Sequence, residues 1–319
     1  MSADPVRAFY EAMLAELGHA PDNIEPGRMI RFATNGKRGD DAGWCKLFDD
    51  ERGGVYGCNR QHPGQMFTWS AVARESLTRD ERAAMARQIE KAKRERQAEQ
   101  EAKWKTNGTW LAQLWGQCLP VMPGDPVARY LANRLQCDFW PVPDCLRLHR
   151  ALPYKVDGKT VGTWPAMVAR MRAADGSMVA LHRTWLTPEG DKAPTPGKVK
   201  KLTPTAGPLD GACIRLGQAG PEGLGIAEGI ETALAARLAS GLPTVAAYSA
   251  GALAAWQWPR NLRRLVIFAD ADKAGADAAE ALRARAFAAG LQCEVMAPST
   301  PGADWCDVWA ARDPLEVPA

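Results

Sequence analysis

Apolar and polar positions divide this chain into four stretches. Residues 5–17 show helical spacing, followed by alternating and aromatic runs, Met29-Ile-Arg-Phe32, Trp44-Cys-Lys-Leu-Phe48 and Val55-Tyr-Gly-Cys58, between Gly-rich polar turns. This predicts a small α+β module over residues 1–74. Thr78 and Glu81 have the spacing of a capping box. They open a charged segment with few large apolar residues on any face, so residues 75–106 predict a solvent-exposed linker helix. Residues 107–153 predict helix, with Trp110, Leu111, Leu114 and Trp115 at helical spacing and a second run from Pro126 to Arg134. From residue 161 the pattern turns to β: strands at 166–171, 179–186 and 213–216, with turns at Asp175-Gly176 and Glu189-Gly190. Residues 107–216 therefore predict a mixed α+β subdomain. From 217 to 319 strands alternate with helices: strands at 224–227, 244–248, 265–269 and 291–296, helices at 230–240, 252–257 and 274–289. Alternation of this kind predicts a parallel, Rossmann-like α/β sheet.

Composition changes little in that picture. The 319 residues allow two or three domains, and a hydrophobic content of 46% with 24% charged residues is ordinary for a globular protein. The net charge of +3 points to no strong partner by itself. The eight cysteines form no Cys-x-x-Cys pair, which predicts a reducing, cytoplasmic setting and argues against a disulfide framework or a four-cysteine zinc ribbon. The amino terminus has no apolar signal core. The long uncharged stretch at 238–259 contains Gly241, Pro243, Gly251 and Gln257, so it reads as helix end, strand and helix, and no membrane segment is expected.

The chemistry concentrates near the carboxyl end. Glu228 in Gly225-Ile-Ala-Glu-Gly229 and Asp270 in Phe268-Ala-Asp-Ala-Asp-Lys273 each follow a short apolar strand, where open α/β sheets place their ligands. Asp272 lies two residues beyond Asp270, and Asp304 and Asp307 follow in Gly302-Ala-Asp-Trp-Cys-Asp-Val308. Carboxylates gathered at one edge repel one another unless a hard cation joins them, and magnesium or manganese with phosphate suits such a set. An EF-hand fails because its fifth and twelfth positions would be Ala274 and Ala281. A dinucleotide fingerprint fails because Glu228 stands where the third glycine belongs.

Taken together, Glu-Gly-Ile-Glu-Thr-Ala-Leu-Ala, Tyr-Ser-Ala-Gly-Ala-Leu, Asp-Ala-Asp-Lys-Ala-Gly and Asp-Trp-Cys-Asp-Val, over about residues 217–312, resemble the Toprim domain of primases, most of all those of phages and of plasmid or integrative elements. The resemblance implies a metal site at Glu228, Asp270, Asp272 and either Asp304 or Asp307, with Glu228 also a candidate for acid–base chemistry. Glu231 reads as a cap or surface residue of its helix. Upstream, the segment around Arg183, Lys192, Lys198, Lys200 and Lys201 resembles the β subdomain that precedes Toprim in these primases, and it implies contacts to template and nucleotide, as does Lys273. Arg183 lies inside an apolar strand, where a charge needs a partner. His182 beside it reads as structural. Lys37, Arg38, Arg52 and Arg60, with Trp44 and Tyr56, suit single-stranded template by charge and stacking. Only Cys45, Cys58 and His62 stand where related enzymes carry a zinc ribbon, so zinc is not expected.

The reading is a DNA primase that joins nucleoside triphosphates into short primers on single-stranded DNA with magnesium or manganese. No Gly-x-x-x-x-Gly-Lys motif occurs, so unwinding is expected of a separate helicase. A Toprim nuclease and a non-catalytic single-strand-binding adaptor are the alternatives.

Overall fold

Helix α1 (Pro5–Leu17) starts where the Asp4 carboxylate accepts the Val6 amide and Pro5 supplies its fixed φ, and it ends at Gly18, whose φ of +67° turns the chain out. The structure, a computed structural model, describes residues 4–36, 40–62, 64–72 and 76–311. The apolar side of α1 buries Phe9, Met13 and Leu17 against an antiparallel sheet ordered β1 (Ile30–Phe32), β2 (Gly43–Leu47), β3 (Gly53–Cys58) and β4 (Phe67–Ser70). Gly54 permits that approach, because a Cβ there would stand 2.7 Å from the Phe9 ring.

The expected helix does join two compact units, but its end and its solvent exposure are corrected. One helix, α2 (Arg79–Gly116), runs 38 residues through both the charged segment and the Trp-Leu run that follows. Its first part is not solvated all round: it lies along the first sheet and buries Ala92 with Trp44, Phe48 and Val55. Glu95 pairs with Lys46, and Glu99 with Arg31 at 3.1 Å. The charges that suggested solvent meet opposite charges on the strands instead. Within this helix the chain divides into two compact units, Met1–Ala102 and Lys103–Ala319.

The second unit is built on one ten-stranded sheet. Its elements are β5 (Leu119–Pro120), α3 (Pro126–Leu135), β6 (Leu146–Val156), β7 (Lys159–Arg172), β8 (Met178–Trp185), β9 (Lys200–Leu202), β10 (Cys213–Arg215), β11 (Leu224–Ala227), α4 (Ile230–Ser240), β12 (Thr244–Ala246), α5 (Ala250–Ala255), β13 (Arg264–Phe268), α6 (Lys273–Ala288), β14 (Gln292–Met296) and α7 (Trp305–Ala310). The main path is β14-β13-β11-β12-β10-β7-β6-β5, with β8 on β7 and β9 on β8. Strands β12, β11, β13 and β14 are parallel, while β10 runs antiparallel to both β12 and β7 and joins the two halves. Residues 146–153, expected helical, are strand β6. Leu146 and Leu148 are buried with less buried neighbours between them, the two-residue period of a sheet.

The pleat assigns each face. Met167, Ala169 and Met171 of β7 join a core under α3, α4 and α7 that includes Leu131, Leu234, Phe268 and Trp305. Ala166 and Val168 turn the other way, onto Leu111, Leu114 and Trp115 in the last turns of α2. Under the parallel half that second face carries α5 and α6 over Ile226, Val245 and Ile267. Among the described residues no helix is long and apolar enough to cross a membrane.

Candidate functional site

Four short parallel strands bring the acids together. Ala227 at the end of β11 pairs with Phe268 at the end of β13. Glu228 and Asp270 thus leave neighbouring strands at the same edge, as open sheets require. Asp272 caps α6, its Oδ1 accepting the Gly275 amide at 2.7 Å. Gly275 has a steric reason: a Cβ there would stand 2.6 Å from the Asp270 carbonyl oxygen, so only glycine lets the helix start this close to the strand end. Asp304 caps α7 and shares a capping box with Asp307.

Electrostatics ties these groups into one site. Burial, then the charges of Glu228, Asp304 and Asp272, push the Asp270 carboxyl up to about 6, and its Oδ1 is buried without a hydrogen-bond partner. Burial, then Asp272, raise Glu228 above the usual carboxylate range, opposed by the Ala250 amide and by Lys200. Asp304 is thus the trailing acid whose charge reaches Asp270. Asp307 is exposed and its Oδ2 accepts the Asp304 amide at 2.9 Å. As the side chains stand, no three His, Cys, Asp or Glu groups among the described residues are gathered closely enough to hold a metal ion. The acids expected to share a metal thus stand at one edge without closing around a common point. Asp304 is occupied by Arg134, whose Nη2 donates to Oδ2 at 3.2 Å, and Asp272 by its helix. The donor set nevertheless fits a hard dication, since Asp270 keeps an orphaned buried oxygen among like charges.

The basic residues sort by the parity of the sheet. Thr184 pairs with Lys200 and Arg183 with Lys201, so the two lysines leave β9 on opposite faces. Lys200 reaches the acids: its Nζ bonds Glu231 Oε2 at 2.8 Å, and its charge acts on both Glu228 and Asp270. Lys201 turns onto the ring of Tyr154, 3.6 Å from the centroid, beside Arg183 over Trp185 at 5.0 Å. The partners expected for Arg183 are therefore an indole and the Leu202 carbonyl, which accepts from Nη2 at 3.0 Å. Lys192 and Lys198 are exposed, and Lys273 is exposed and paired with Asp277 at 2.6 Å. His182 is half-buried, and desolvation lowers it to about 4.

Three contributors escaped the sequence. Glu231, expected to cap or decorate α4, is 3% exposed and bonded to Lys200 and to the Tyr130 hydroxyl, which donates to Oε1 at 2.5 Å. Lys200 and Tyr130 hold its carboxyl down at about 2 despite burial. Arg134, one turn beyond Tyr130 on α3, holds Asp304. The signal for Glu231 was its setting, since every residue from Ile230 to Ala236 is buried and no polar face exists to carry it.

In the first unit the template-binding expectation fails for Trp44, which is 1% exposed beneath Arg96 and offers no face for stacking. Tyr56 is likewise buried, at 6% exposure. Arg52 pairs with Glu81 at 3.0 Å and Arg60 with Asp40 at 2.6 Å. Lys37 and Arg38 lie outside the described residues.

Residues 223–314 match the family model described as Toprim domain. The acidic edge sits on a Toprim domain. Residues 105–216, the helical and β-rich region before it, match a domain of unknown function, DUF7146. No curated protein matches the chain. Among solved structures, a DNA primase domain from Pseudomonas aeruginosa aligns at 14% identity over 50% of this chain and 52% of its own, with a TM-score of 0.35. The primase fragment of the bacteriophage T7 primase-helicase protein aligns at 19% identity over 56% and 63%, TM-score 0.33. The zinc-binding and RNA polymerase domains of the Aquifex aeolicus primase align at 11% identity over 96% and 81%, TM-score 0.37. The chain thus covers between half and two-thirds of the first two. At TM-scores this low the likenesses carry no argument about activity.

Proposed function

We propose that the chain is a DNA primase of the phage, plasmid or integrative-element kind, synthesising short primers on single-stranded DNA from nucleoside triphosphates. The observation that carries this is the charge of Lys200 acting on Glu228 and Asp270, from a neighbouring β subdomain and held by its ion pair with Glu231. An anionic triphosphate needs both signs of charge: cations for its oxygens, and carboxylates that hold the counter-cations. Glu228, Asp270, Asp272 and Asp304 would hold magnesium or manganese, Asp304 after exchanging its contact with Arg134. Bound there, the dication would supply charge neutralisation at the transferring phosphate. Lys200 presents its ammonium to the phosphates. Glu228, half-buried and with a raised pKa, accepts the proton of the attacking 3′-hydroxyl as that oxygen bonds the α-phosphorus and pyrophosphate departs. Unwinding falls to a separate helicase.

The test is incorporation of labelled nucleotides on a single-stranded template with added magnesium or manganese. Asp270→Asn should lower incorporation at least about a hundredfold, the scale of losing one preorganised electrostatic group. Undiminished synthesis by that variant would sink the assignment. Cleavage of labelled DNA without triphosphates would favour a nuclease instead.

A further inference from the structure

The edge of the sheet opposite the acids carries an arginine pocket that the Toprim chemistry does not use. Its origin lies in strand register. Arg172 pairs with Cys213 across β7 and β10, and the two-residue period then places Arg170, Arg172 and Arg215 on one face. Arg237, in the last turn of α4, approaches the same place and donates to the Leu216 carbonyl at 3.0 Å. These four guanidiniums line a 590 Å³ cavity whose single carboxylate is the exposed Asp144.

None of the four is neutralised by an ion pair among the described residues. Arg215 is held by the carbonyls of Ala173 and Ala174, and Arg172 by that of Gly176, so both brace the β7–β8 turn. Arg170 rests over the Trp115 ring at 4.9 Å and keeps a buried Nε with no partner. Carbonyls fix guanidinium direction without cancelling charge, so the cavity holds several aligned cations whose mutual repulsion an anion would relieve. Burial, then the nearby Arg172, lower Arg170 from the ordinary arginine range, with the exposed Asp144 opposing.

A second hollow of 410 Å³ adjoins the first and shares Arg215, Gly217 and Gln218 with it. Its lining is different: the nearly fully buried Leu224, Val245 and Trp256 behind it, with exposed Gln257 offering an amide. An arginine half opening into an apolar half with amide groups is the layout of a phosphate site beside a base site. Both lie near the amino-terminal ends of β11 and β12, whereas Glu228 leaves the carboxyl end of β11. The four residues of that strand separate the edges by about 13 Å.

We infer that the arginine pocket and its neighbouring hollow form a second site for a free nucleoside di- or triphosphate, with phosphates on Arg170, Arg172, Arg215 and Arg237 and the base in the hollow beside the exposed amides of Gln218 and Gln257. It is independent of whether the acidic edge transfers nucleotides. Equilibrium dialysis of labelled ATP and ADP against the full chain, with EDTA present to remove divalent cations, tests it. One site should bind, Asp270→Asn should leave it unchanged, and Arg172→Gln with Arg237→Gln should weaken it at least about tenfold, the effect of losing charge-assisted hydrogen bonds. On the unmodified protein, ATP should slow hydrogen–deuterium exchange at residues 173–177 and 215–219, a readout that does not depend on variants folding. Absence of binding in EDTA, full affinity in the double variant, or no protection of those segments would overturn the assignment. Equal affinity for inorganic tripolyphosphate would refute the base half. Loss of single-stranded oligonucleotide binding in the double variant, with ATP affinity intact, would give the arginines to a strand instead.

Discussion

Glu231 shows how a single side chain organises an edge that it does not itself face. Its carboxylate is buried, so it persists only because Lys200 and Tyr130 satisfy both oxygens. Its folded pKa, about 2, lies below the ordinary 4.5. A depressed acid contributes stability that is complete above the unfolded value and fades as pH falls toward the folded one. Glu231→Gln should therefore cost about 1–3 kcal/mol at neutral pH, the range for unsatisfying a buried polar group. The gap from the unmodified protein should narrow between about pH 4.5 and 2 in chemical denaturation. A constant gap across that window would remove Glu231 as the titrating group. The same residue marks the limit of legibility: an acid three places after Glu228 on a helix reads as surface until one sees that α4 is covered all round. Glu228, Asp270 and Asp272 were legible because each ends a short apolar run before a helix. Their spacing was not, since the pairing of Asp304 with Arg134 on α3 depends on packing between distant segments.

At the scale of elements, strands β11 and β13 and helices α4 and α6 emerged within a residue of expectation, because Gly229, Gly241, Asp272 and Gly290 punctuate them. β6 was mistaken for helix because bulges at His149/Leu152 and Tyr154/Lys155 break its alternation. α2 was divided because alanine and charge dominate its first half. The start of α6 is where an element controls chemistry most directly. Gly275→Ala would drive a Cβ into the Asp270 carbonyl, so melting should show a loss of about 1–3 kcal/mol, and nucleotide incorporation should fall as Asp270 shifts. Gly251→Ala in α5, where a Cβ meets nothing within 4 Å, is the matched control and should be neutral or slightly stabilising. A silent Gly275→Ala would show that the tight approach is not needed.

For the whole molecule, each unit has its own core: Phe9, Met13, Leu47 and Trp44 in the first, the ten-stranded sheet with its two helical faces in the second. Separate cores predict separate unfolding. Calorimetry should resolve two transitions, and Trp44→Ala should lower only the one belonging to the first unit, by about 3–5 kcal/mol of stability. A single transition moved as a whole would mean that the units melt cooperatively. The division of labour was partly legible: the sequence separated an amino-terminal module from the rest and ended its linker at 106, close to the division at 102/103, but it did not show that one helix runs on through that point.

The three-residue strand β9 leads to a constraint on how such chains can diverge. Neighbouring lysines there serve opposite faces, Lys200 toward the carboxylates and Lys201 onto Tyr154. Slippage of β9 by an odd step would exchange the two ammonium groups and leave the acid edge facing a misplaced cation. Drift in this region is therefore confined to changes that conserve evenness.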